Sequence, residues 1–322
     1  MTLNTTRNTK TVLIPSFQRP VSRVAIRSVA SYEQDLLALI YETLCEFDLP
    51  IRGKNVLLKP NLVGPDPLGV TNTHPAVIAA SRESLLRLGA AQVLIAEGPA
   101  VDRDTEAILE SIGLRHYVGP LAKVFVDLNV DDVEKVLLKT TASRLSELYL
   151  PKTVLSADFV ISMPKLKTHH WAGVTLSLKN MFGIVPGGCY GWPKNILHWA
   201  GIDSAVLDIN AAVRPDFAIV DGIVGMQGNG PIQGDPKNSG VLILGDDPVA
   251  VDATCCCVMG LLPAKVKYLA QAGILLGHIH PDKIQQLGES IASVRTPFSV
   301  LDNFKHLVDT SDAFGTQPAL VG

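Results

Sequence analysis

Apolar residues fall in short clusters between Gly, Pro and polar stretches, and two spacings alternate along the chain. Continuous or alternating apolar runs predict strands at Val21–Ala30, Asn55–Lys59, Gln92–Ala96, Lys123–Leu128, Asp158–Met163, Phe217–Asp221 and Val241–Leu244. Helical spacing predicts helices at Tyr32–Phe47, Pro75–Leu88, Asp104–Ile112, Ile202–Val213 and Val249–Met259. Strands that alternate with helices imply an α/β fold with mostly parallel sheets and crossover helices. The pattern pauses and resumes near the middle. We therefore expect two α/β lobes, 21–150 and 151–290, with a cleft between them. Residues 1–20 are polar and rich in Thr and Asn, which reads as a disordered arm. Residues 291–322 have weak periodicity and read as an irregular tail that wraps the surface or a partner, protein or second copy.

Composition narrows the function classes. Of 322 residues, 47% are hydrophobic and 18% charged, ordinary globular values that exclude a disordered chain. The net charge of −3 disfavours general nucleic-acid binding, whose affinity comes from phosphate neutralisation. No apolar run reaches the length of a membrane span, and the N-terminus has neither a secretory core nor twin arginines, so a cytoplasmic location is expected. The five cysteines are Cys45, Cys189 and the run Cys255–Cys257, an odd, clustered set unlike a disulfide framework. They lack the ferredoxin-type iron–sulfur spacing, and the run reads as buried thiols in a helix.

One segment stands apart. Residues 159–202 hold no Asp or Glu, where the chain average gives about four. The same stretch carries Lys165, Lys167, Lys179, Lys194, His169, His170, His198 and all three tryptophans. Cations without counter-acids suit an anionic ligand, and the interleaved glycines allow backbone to approach it. In parallel sheets ligands bind beyond the carboxyl ends of strands, which points at Lys59-Pro60-Asn61 and Glu97-Gly98-Pro99. Lys59, Lys165, Lys167 and Lys179 are candidate anion-neutralising residues. Asn61, Asn180, Asn229 and Asp221 are candidate substrate contacts, and Glu97 is a candidate catalytic carboxylate. A histidine can act as acid, base or metal ligand; His169 is assigned the acid/base role. Gly228-Asn229-Gly230-Pro231 suits a tight turn or a phosphate cradle. Neither standard nucleotide-binding glycine fingerprint is present.

Six motifs in order resemble the domain-of-unknown-function family numbered 362: Leu58-Lys59-Pro60-Asn61, Ala157-Asp158 with Pro164–His169, Gly173–Asn180, Val220–Ile223, Gly228–Pro231 and Asp247–Asp252. Many members of that family carry ferredoxin-like cysteine motifs. More distantly, the central segment is similar to the N-terminal domain of nickel-pincer lactate racemases. The shared pattern is a His ten residues before a Lys, then Pro-Gly, then a His twelve residues after that proline. It falls here on His169, Lys179, Pro186-Gly187 and His198. That resemblance implies His169 as proton-transfer base, Lys179 as cofactor-bonding lysine and His198 as metal ligand. The sequence departs from it at Ser177-Leu178, where the family has Gly-Gly, and after Glu97-Gly98, where the family's other catalytic histidine is missing.

The reading that results is an enzyme acting on an anionic small molecule, carboxylate or phosphorylated, by isomerase, lyase or redox chemistry. The cofactor is open, with a metal ion as one candidate. The alternative is a non-catalytic metal or cofactor carrier or assembly protein.

Overall fold

The computed structural model describes residues 10–11, 19–66, 68–99, 104–138, 142, 145–192 and 194–311. Ten strands make one mixed, mostly parallel sheet. They are β1 (Ser22–Ser28), β2 (Asn55–Pro60), β3 (Gln92–Glu97), β4 (Phe125–Asp127), β5 (Phe159–Met163), β6 (Lys165–His169), β7 (Gly173–Thr175), β8 (Phe217–Asn229), β9 (Gln233–Gly245) and β10 (Ile284–Gly288). The order across the sheet is β10-β1-β9-β8-β5-β2-β3-β4. β6 continues along β8 where β5 stops, and β7 folds back on β6. Strands from residues 21–150 and from 151–290 thus share this one sheet, and β9 runs antiparallel to both β8 and β1.

Both faces of the sheet are covered, as a parallel sheet requires. Helices α1 (Leu36–Cys45), α2 (Pro75–Arg87) and α3 (Thr105–Ser111) pack with Ala25, Val56, Leu58, Ile95, Ile161 and Ile219 on one face. Helices α4 (Ile202–Ala212) and α5 (Pro248–Val258) pack with Val24, Ile26, Leu57, Val160, Val220 and Ile243 on the other. Successive strand residues go to opposite faces, so the continuous apolar runs are two half-cores read as one. Pro75 and Pro248 begin α2 and α5, where a missing N–H is harmless, and Asp247 caps α5 by accepting from Val249 N–H at 2.9 Å.

The hairpin β8–β9 is longer than the sequence suggests. The expected strands ended at Asp221 and began at Val241, but each runs for 13 residues. Pro236, Asp235 and several glycines break the apolar alternation in the outer part, which hides it from a pattern search. The Gly228–Pro231 motif lies at its turn. A second sheet joins Lys10–Thr11, Val133–Leu137 and Glu147–Pro151. The rest of the expected arm, 1–9 and 12–18, lies outside the described residues. The tail packs back through Leu307, whose carbonyl accepts from Leu262 N–H at 2.7 Å; residues 312–322 lie outside the described ones. Among the described residues no helix is long and apolar enough to cross a membrane.

Candidate functional site

The carboxyl ends of β2 and β3 meet β6, β7 and the turn of the β8–β9 hairpin around a cavity of about 260 Å³. β6 supplies its cationic side by simple alternation: Lys165, Lys167 and His169 occupy every second position of one strand. Lys167 and His169 line the cavity, with Lys59, Asn61, Glu97, Lys179, Asn180 and His198. Lys165 lies outside the lining. Its Nζ pairs with Asp221 Oδ2 at 3.0 Å and donates to Tyr32 Oη at 2.7 Å, and both charged side chains are fully buried. Asp221 also accepts from His74 N–H at 2.9 Å, so this pair ties α2 to the hairpin. Asn229 sits at the exposed hairpin end, bonded to Gln233, and is not part of the lining either.

The cavity floor is a closed polar knot. Lys59 Nζ pairs with Glu97 Oε2 at 2.5 Å and donates to Asn180 O and Oδ1, both at 2.7 Å. The Glu97 carboxylate also accepts from Leu62 N–H at 3.1 Å and Gly98 N–H at 2.9 Å. Asn180 in turn donates to Lys59 O and to Ser162 Oγ. Burial pulls the Lys59 ammonium below its ordinary value while Glu97 opposes the shift. Gly183 is required here: a Cβ on it would run into the Glu97 carboxylate and the Lys59 ammonium. Glu97 is therefore the built-in partner of Lys59, with its oxygens already engaged.

Lys179 is different. It stands on the single turn Ser177–Asn180, whose Ser177 and Leu178 amides donate to the Asp252 carboxylate of α5 at 2.7 and 3.0 Å. Its Nζ lies 4.3 Å from the centre of the Phe182 ring and has no oxygen acceptor among the described residues. Burial, then the Lys59 charge, pulls it down to about 7, against the pull of Glu97. Lys167 is also drawn to about 7 by burial, and its Nζ donates to the Thr71 and Pro231 carbonyls at 2.7 and 3.3 Å. Two further groups on the wall are unsatisfied. Asn61 Oδ1 and Thr175 Oγ1 are buried without a hydrogen-bond partner. Buried polar groups are nearly always paired, so the Asn61 and Thr175 oxygens are open positions on the wall, beside the half-buried Lys179.

The histidines divide by tautomer. His169 Nδ1 accepts from Trp171 and Ala172 N–H at 3.0 and 3.2 Å, which leaves the proton of the neutral ring on Nε2. Burial and then Lys179 hold its pKa well below the usual value, so it is neutral near pH 7. His170 Nδ1 faces Gly230 O at 2.8 Å and His198 Nδ1 faces Lys194 O at 3.1 Å. A carbonyl can only accept, so those rings carry the proton on Nδ1 and offer an Nε2 lone pair. The rings of the adjacent His169 and His170 stack at 5.0 Å and both line the cavity, because β6 ends between them. Lys194, fully buried, donates to Gly98 and Gly183 carbonyls.

For the metal and cofactor roles implied by resemblance, the donor set is thin. Among the described residues no three His, Cys, Asp or Glu side chains group to hold a metal ion, so His198 stands without co-ligands. Cys255 and Cys256 are buried in α5 with thiols pushed well above their usual range by burial. Sequence reasoning missed Asp252 as the group that fixes Lys179, and Thr175 and Phe182 as lining. Asp252 and Thr175 sit in motifs and could have been found; Phe182 carries no sequence signal.

A thylakoid-associated protein of Synechocystis is 32% identical to this chain over 266 residues, 78% of either length. Among solved structures, the lactate racemase apoprotein of Thermoanaerobacterium thermosaccharolyticum is similar at TM-score 0.39 and 16% identity, over 63% of this chain. A Thermotoga maritima protein is similar at TM-score 0.38 and 12% identity, over 71% of this chain. The chain spans 50% and 59% of those two proteins' lengths. The model of a domain of unknown function, DUF362, matches residues 56–257, and with a relative this similar the chain belongs to that family.

Proposed function

We propose that this cavity is the active site of an enzyme that binds an anionic small molecule. The observation that carries the reading is Lys179, a half-buried cation with no oxygen partner among the described residues, facing a cavity that also holds the buried, unpaired Asn61 and Thr175 oxygens. Lys179 and Lys167 neutralise the ligand's charge in a low-dielectric site, where such interactions are strongest. Asn61 Oδ1 can only accept, so it takes a hydroxyl or N–H of the ligand. His169, protonated on Nε2, donates to a ligand oxygen. His170 and His198 offer Nε2 lone pairs that can remove a proton. A hydrogen-bond donor and bases around one anion are the equipment of an isomerase or lyase. Among the described residues no metal centre is completed, and no step here uses one.

A second reading, a carrier or assembly factor, draws on His170 and His198 lining the same cavity with free Nε2 atoms. Two measurements separate the readings. Calorimetry with short carboxylates and with inorganic phosphate tests the anion site: Lys179→Ala is expected to abolish binding with an unchanged circular dichroism spectrum, and unchanged binding overturns it. Incorporation of solvent deuterium into a bound carboxylate, followed by NMR, supports the enzyme; binding without exchange or turnover supports the carrier. A cytoplasmic location is the expectation of the N-terminal residues, against the thylakoid association in the name of the Synechocystis relative; cell fractionation decides between them.

A further inference from the structure

We infer that the ligand of this cavity is amphipathic: an anionic head held at Lys179 and an apolar tail that leaves past Trp171 and Ile232. The inference rests on the anion-site reading and names the substrate class for it. Inside, Leu62, Val63 and Phe182 form the apolar wall beside the polar groups. At the mouth the lining remains apolar. Trp171 and Ile232 both line the cavity, yet they are 57% and 41% exposed. Trp171 is not a loose surface side chain: its ring packs edge-on against His170 at 4.9 Å and His198 at 5.0 Å.

A pocket for a small polar anion alone has no need of this rim. Exposed apolar residues scattered singly are ordinary, but here Trp171 and Ile232 continue an apolar wall out to the open edge of the cavity. The polar anchors, by contrast, all lie within. The occupant that satisfies both parts has its charge at one end and methylenes at the other. Each methylene withdrawn from water strengthens binding about fourfold.

The test is calorimetry with straight-chain carboxylates from acetate to decanoate, below their micelle concentrations, with octanol as a neutral control. The expected result is a dissociation constant that falls about fifteenfold for every two added methylenes until the tail clears the rim. In Trp171→Ala and Ile232→Ser this dependence flattens, and octanol binds far more weakly than octanoate. Binding of short and long acids with equal affinity overturns the inference and leaves the anion site standing. No binding of any acid, or octanol binding as well as octanoate, overturns the anion-site reading itself. A chain-length dependence that survives both substitutions puts the tail elsewhere and overturns the inference. Thermal unfolding of each variant confirms that these exposed side chains were removed from a folded protein. A flat series together with self-association that Trp171→Ala abolishes identifies a second copy as what covers the rim, which also overturns it.

Discussion

Glu97→Gln tests whether the knot beneath the cavity holds the site together. The carboxylate serves three donors: Lys59 Nζ at 2.5 Å, Leu62 N–H at 3.1 Å and Gly98 N–H at 2.9 Å. In the amide, one oxygen position becomes an NH₂ that faces a donor, and the charge opposite Lys59 is lost. Both side chains are 1% exposed, so water cannot replace the missing partner. Breaking such a pair from one side costs about 3–5 kcal/mol. Lys59 has a partial escape: burial already pulls its pKa down, and it can shed its proton, which puts the loss near the lower bound, about 3 kcal/mol. For a chain of this length that is a drop in Tm of about 4 °C. The escape also has a signature. Between pH 7 and pH 9 the deficit against wild type narrows, because the unpaired lysine becomes easier to neutralise. Urea unfolding at the two pH values measures both quantities. A loss below about 1 kcal/mol, or a deficit that does not change with pH, refutes the reasoning. The cycle with Lys59→Met is expected to return a coupling of about 2 kcal/mol.

Asp252→Asn removes the charge that caps the Lys179 turn, and about 1–2 kcal/mol of stability is expected to go with it, together with a weaker grip on carboxylates; unaltered carboxylate affinity refutes the positioning role. Lys179 sits at about 7 and an anion favours its charged form, so carboxylate affinity is full below pH 7 and falls by about tenfold per unit above it; a flat calorimetric profile from pH 6 to 9 counts against Lys179 as the anchor. Lys167, Lys179 and Lys194, all near 7 when folded, bind fewer protons folded than unfolded up to the ordinary 10.5, so stability rises with pH across that window; a Tm that falls between pH 7.5 and 9 contradicts this. His169→Phe deletes the Nε2–H donor and is expected to weaken carboxylate binding about tenfold or more, whereas His169→Gln keeps a donor and recovers part of it; equal losses in the two variants remove the donor role.

Strand positions were legible because buried parallel strands write continuous apolar runs, as at Val56–Leu58 and Ile219–Val220. The acid-free stretch supplies Lys167, His169, His170, Lys179 and His198 to the wall of a single cavity, because β6 and the turn that follows β7 end side by side. What the sequence could not sort was partnership. Lys165, Lys167 and Lys179 look alike in a row of letters. One is matched by Asp221 from a strand 56 residues on, one is held by carbonyls, and one is left open. Histidine tautomers are equally hidden, since a backbone N–H or a carbonyl beside the ring decides them. The long hairpin escaped because polar and glycine positions in a half-exposed ribbon carry no periodic signal.

The place of β1 in the sheet bears on how the chain is made. Its neighbours are β9 and β10, which are synthesised near the far end of the chain. At usual translation rates β1 leaves the ribosome about 10–40 s before β9 exists to pair with it. Through that interval both of its edges are unpaired, along a Val-Ala-Ile segment that is fully buried in the finished protein. The strands β2 to β5 meet no such delay: β3 follows β2 closely in the chain and pairs with it, and β4 and β5 each emerge to a partner already made. β1 is thus a part of the nascent chain in need of a chaperone, and one where slowed synthesis should lower the yield of folded protein.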